Sequence, residues 1–180
     1  MAPILGIYAS QISGHLYPGP TGAYDSIATV TAGSGATVLS FTSIPSTYTH
    51  LQIRLSCGNS AGQNYTMTFN SDTGSNYATH RLSSSGTAVS AGSATSATSI
   101  NIAGNAGILP SSPSIIDILD YTSTNKNKTI RAISGWDNNT FGYMDYNSGL
   151  WFATPTAITR IDLSQAWATG STASLYGIKG

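Results

Sequence analysis

At 180 residues the chain has the length of one domain, or of one domain plus an arm, and its seven basic and seven acidic side chains leave no net charge. Charged residues make up only 8%, against about 25% in an average protein, while 27 Ser and 23 Thr account for more than a quarter of the chain. These figures exclude a helical bundle, which needs Glu, Lys, Leu and Ala on amphipathic faces, and a cationic nucleic-acid surface.

There is no Glu, and Thr, Tyr, Ile and Val alternate with Gly, Ser and Asn, which is strand-and-turn chemistry. No apolar run approaches the 18 residues of a membrane-spanning helix, so no membrane partner is expected. The first residues lack the basic flank of a signal peptide. Cys57 is the single cysteine, which excludes an intrachain disulfide and a cysteine metal cage and suits a protein made in a reducing cytosol. So little charge points to a surface that is polar but neutral, or covered by partners.

In chain order, residues 1–22 stand apart. Ile4, Leu5, Ile7, Tyr8, Ile12, Leu16 and Tyr17 are apolar without a sustained period, and Pro18-Gly19-Pro20 ends the segment. Two readings stay open: a strand closing the sheet, or an arm whose seven apolar residues dock on another subunit. Residues 23–180 form the second unit. Residues 24–31 and 37–44 flank a Gly-bearing loop and predict a hairpin. His50 to Cys57 is the cleanest strand, with Leu51, Ile53, Leu55 and Cys57 on one face and His50, Gln52, Arg54 and Ser56 on the other. Residues 64–70 place Tyr65, Met67 and Phe69 inward, and 77–82 predict a further strand.

Residues 83–99 are almost all Ser, Gly, Thr and Ala, fitting a loop or an irregular edge strand. Strands resume at 99–102, 114–121, 128–136, 143–152, 157–163 and 172–178. Nine or ten short strands with turns between them predict an all-β fold, an antiparallel β-sandwich that is jelly-roll-like, with an N-terminal arm. Leu51, Ile53, Leu55, Cys57, Met67, Phe69 and Ile133 are the expected core. Asp117 and Asp120, set among Ile115, Ile116, Ile118 and Leu119, need partners, for which Arg54 and Arg131 are available.

Catalytic signals are weak. Gly58-Asn59-Ser60-Ala61-Gly62 matches the nucleophile-elbow pattern, but a strand follows it where the elbow needs a helix, so Ser60 is expected in a hairpin loop. Asn70, Asp72, Gly74 and Asn76 loosely imitate a calcium loop whose twelfth position is Arg81 instead of Glu, which favours an Asx-type turn. His15, His50 and His80 share no motif. Seven acids without Glu make a glycosidase pair unexpected. The sequons at Asn64, Asn127 and Asn138 lack a secretory context. Trp136, Trp151 and Trp167 are expected in the core or at interfaces, with ligand stacking as the other use. No cofactor, metal or catalytic residue is expected.

Several segments together carry a resemblance: Ile4-Leu-Gly-Ile-Tyr-Ala-Ser-Gln-Ile-Ser-Gly-His15, Tyr24-Asp-Ser-Ile-Ala-Thr-Val30, Ser43-Ile-Pro-Ser-Thr-Tyr-Thr-His-Leu-Gln-Ile-Arg54, Ile115-Ile-Asp-Ile-Leu-Asp-Tyr121 and Leu175-Tyr-Gly-Ile-Lys-Gly180. The chain resembles small virion structural proteins of tailed bacteriophages, frequent among aquatic phages. The resemblance implies a particle component on the virion exterior, made in the host cytoplasm. A capsid decoration or cement protein bound to the major capsid protein is the first expectation. A tail fibre, spike or baseplate protein binding a host glycan is the second, and an enzyme the third. A homo-oligomer, with a trimer favoured, suits either of the first two sites.

Overall fold

The computed structural model describes residues 22–58, 64–104, 112–137, 139–140 and 142–179. The arm residues Ile4 to Tyr17 and Ser60 therefore lie outside the described residues.

Twelve strands form the fold among the described residues. They are β1 (Tyr24–Thr31), β2 (Val38–Phe41), β3 (His50–Cys57), β4 (Tyr65–Phe69), β5 (Tyr77–Ser85), β6 (Ala88–Ala97), β7 (Ile100–Ala103), β8 (Ser112–Ile118), β9 (Lys128–Asp137), β10 (Gly142–Trp151), β11 (Ile161–Ser164) and β12 (Thr172–Ile178). Among the described residues there is no helix, and so none able to cross a membrane. Every pairing is antiparallel. One sheet has eight strands in the order β1-β12-β3-β8-β9-β10-β5-β6, and the other has four in the order β2-β11-β4-β7.

The two sheets pack as a sandwich, as the alternation predicts. Leu51, Ile53 and Leu55 of β3 and Ile116 and Ile118 of β8 face Tyr65, Met67 and Phe69 of β4, all buried. Trp151 lies 5.5 Å from the ring of Phe69 and 6.4 Å from that of Tyr77, and Tyr65 stacks on Trp167 at 5.3 Å. Two of the three tryptophans thus belong to the core. The jelly-roll winding does not follow from the eight-and-four division alone.

Four expectations need correction. Residues 24–31 and 37–44 do not form a hairpin: β1 pairs with β12 and β2 with β11, so the Gly-bearing loop carries the chain from one sheet to the other. Ile133 is not a core residue. Ile130, Ala132 and Ser134 face inward on β9, so the period of two turns Ile133 outward, where it is 57% exposed. The strand expected over 157–163 shortens to Ile161–Ser164. Asp120 is held by Lys126 at 2.8 Å, with His50 3.6 Å away, instead of by an arginine.

Residues 83–99 resolve as the end of β5 and an edge strand. Ser85 faces Ala88 across a two-residue loop whose first member, Gly86, has φ +58°, the conformation that a II′ hairpin turn asks of glycine. Beyond that turn β6 runs along the sheet edge, exposed from Ala88 to Ser96.

Candidate functional site

The outward face of the large sheet is built by residues that the period of two turns away from a core already filled. Cross-strand register aligns Arg54, Ile115, Ile133, Tyr146, Leu82 and Ala91 in one row over β3, β8, β9, β10, β5 and β6. A second row sets Gly135, Met144, Ser84 and Val89 side by side. Ile115, Ile133, Tyr146, Leu82, Met144 and Val89 are between 42% and 71% exposed. Six large apolar side chains therefore stand together on one sheet face, where scattered single ones would need no explanation.

Gly135 interrupts the second row with an absent side chain. Pro113, Ile115, Ile133, Trp136, Asp137 and Met144 stand around it and line an open groove of about 700 Å3. Trp136, the third tryptophan, is half-buried here.

The β3 side of the row ends in a tied polar wall. Arg54 Nε donates to Gln52 Oε1 at 3.0 Å, and Gln52 Nε2 donates to Asp117 Oδ1 at 2.8 Å. Gln52 is thus buried on an outward face because Asp117 and Arg54 close over it. The guanidinium also lies 5.4 Å from the ring of Tyr24 and 5.1 Å from that of Tyr176. Asp117 meets its expected arginine through Gln52, while Arg131 is its cross-strand neighbour.

The other carboxylates are also engaged. Asp162 receives both Arg160 Nε and Nη2 at 2.7–3.0 Å, and Asp25 pairs with Lys179 at 2.5 Å. Asp72 accepts from Gly74 N, Asn76 Nδ2 and Trp151 Nε1, which builds the expected Asx-type turn and occupies both carboxylate oxygens. Burial raises its pKa, and these donors outweigh that and hold it below 3.8.

Inside the sandwich, Ser114, Ser134, Asp145 and Ser83 form an inward polar row that runs out to the exposed Ser90 of β6. Asp145 Oδ2 accepts from Gly104 N, and Oδ1 faces Arg81 Nε at 3.4 Å. Burial pushes the Asp145 carboxyl up, against the pull of Gly104, Arg81 and Tyr143. Arg81 Nη2 donates to Tyr143 Oη at 2.6 Å and to Ser83 Oγ at 3.2 Å. Arg81 thus links the Asp145 carboxylate to Tyr143 and Ser83. Arg81, Thr79 and Asn101 also border a smaller cavity of about 210 Å3 under β6.

Sequence reasoning missed the apolar row. Its signals were the consecutive Ile115-Ile116, which makes both faces of β8 apolar, and the inverted order Met144-Asp145-Tyr146-Asn147, in which the polar residues turn inward. Compared with family models, curated proteins and solved structures, the chain matches none.

Proposed function

We propose that the protein is a non-enzymatic structural component of a tailed-phage particle, displayed on the exterior as a capsid decoration or cement protein and assembled as a trimer. The observation that carries this reading is the exposed apolar row on the outer face of the large sheet. A patch on the order of several hundred Å2, with the charges of Arg131 and Asp137 beside it, is the mark of a face that another protein covers.

The strand order adds support. The large sheet contains the run β1-β12-β3-β8, the small sheet is β2-β11-β4-β7, and β1 packs against β2. Two Greek keys wound together give this pair of four-stranded orders. We infer a jelly roll of that kind, with the hairpins β9-β10 and β5-β6 added beside β8. Viral capsid domains and lectins share that winding.

Quantitative mass spectrometry of purified particles, from the phage that carries the gene, tests the reading. Hundreds of copies per particle are expected for a decoration protein. A dozen copies would move the protein to the tail and favour the glycan-binding alternative. Absence from the particle would overturn both.

A further inference from the structure

We propose that the groove around Gly135 receives the N-terminal arm of a neighbouring copy, so that copies join head to tail into a closed ring. The inference deepens the assembly reading and rests on it, while attachment to particles is measured separately.

The groove and the arm match in chemistry. Ile115, Ile133 and Met144 present exposed apolar side chains around a floor without a side chain at Gly135. Residues 4–17 hold seven large apolar side chains, and residues 1–21 hold no Asp, Glu, Lys or Arg. An uncharged apolar segment brings no charge of its own to be desolvated, and the one charged residue that lines the groove among the described residues, Asp137, is exposed to solvent.

The root of the arm favours a neighbour's groove over its own. The chain enters β1 at Tyr24, whose partner is Ile178, at the sheet end where His50 lies. The groove sits toward the opposite strand ends, at Pro113, Gly135 and Met144, and β12 and β3 intervene between β1 and β8. A chain folding back would cross the wall of Arg54, Gln52 and Asp117, with Arg54 already held on Tyr24 and Tyr176. In extended form 21 residues span roughly 70 Å, ample to reach a second subunit. Arm-in-groove contact uses two different surfaces, and such contacts generate closed rings, a trimer being among the smallest, where the rotation from copy to copy closes.

Mixing two full-length variants tests the proposal. Met144→Lys spoils the groove at an exposed position, and Ile7→Asp spoils the arm. The wild type is expected at three times the 18.6 kDa chain mass by light scattering, and each variant alone as a monomer. Mixed together, they retain one good arm facing one good groove and should form a one-to-one pair. Circular dichroism and thermal melting, read alongside, should leave both variants folded. Fluorescein-labelled peptide 1–17 should bind Ile7→Asp protein and bind Met144→Lys protein about tenfold or more weakly. A monomeric wild type, assembly unaffected by either variant, or no pair on mixing would each overturn the proposal, whatever the particle count shows.

Discussion

Trp151 donates its indole N–H to Asp72 Oδ2 at 2.7 Å, fastening the β4–β5 turn to the end of β10. The same carboxylate receives Gly74 N at 2.8 Å, so one side chain shapes the turn and anchors it to the core. Asp72→Ala should cost about 1–3 kcal/mol at neutral pH, since it strands a charge-assisted set of donors. The folded pKa lies below the unfolded value of 3.8, so this contribution is whole above that value and is lost as pH falls through the folded one. Urea denaturation at pH 7 and pH 3 should therefore show the gap between wild type and variant narrowing in acid.

Asp145 has the opposite sign. Its folded pKa is raised above 3.8 by burial, so the folded state holds the proton more tightly than the unfolded chain does. Its burden on stability is relieved as pH falls through the folded value toward 3.8, and grows as pH rises across that window. Asp145→Asn should flatten this part of the stability–pH curve, measured by chemical denaturation in small pH steps.

The two faces of the large sheet should respond differently to the same substitution. Ile53 is fully buried, and Ile53→Ala should cost roughly 2–5 kcal/mol. Ile133 is 57% exposed, and Ile133→Ala should change the stability of the isolated domain by no more than about 0.5 kcal/mol. Equal losses at both positions would contradict the register of β9.

That contrast also marks what the sequence discloses. The strand over 50–57 was legible to the residue because its four apolar positions alternate with polar ones on a single period. The two-sheet class followed from many such short runs. Partnership between strands did not, because β1 meets β12 across almost the whole chain and nothing local records that pairing. Ile133 was misplaced because β-branched residues serve either face of a strand, and only register decides which. The apolar groove was hidden for the same reason, since a face to be covered by protein is written in the same letters as a core.

Cys57 should be inert in the folded protein. Burial pushes its thiol up to about 11, against a smaller pull from Tyr65, and Sγ–H donates to Ser112 O at 3.3 Å. At pH 8 a disulfide reagent should label it only after denaturant is added, because the thiolate is the reacting species. Prompt labelling of native protein would show that this end of β3 opens.

Gly177 marks a close approach. A Cβ there would lie 2.3 Å from the ring of Tyr48, which packs over the strand. Gly177→Ala should destabilise the protein by about 1–3 kcal/mol through overpacking. Combining it with Tyr48→Ala should give a loss smaller than the sum of the two, as a double-mutant cycle would read.

The place of β12 between β1 and β3 has a consequence for synthesis on the ribosome. The first described strand has no seat in the sheet until the last one has emerged, because Tyr24 pairs with Ile178 and Ile178 in turn with His50. The nascent chain therefore carries β1 unpaired until β12 has left the exit tunnel, and closure of this side of the sheet waits on long-range contacts. A chain interrupted before β12 would keep β1 without a partner and the edge of β3 open.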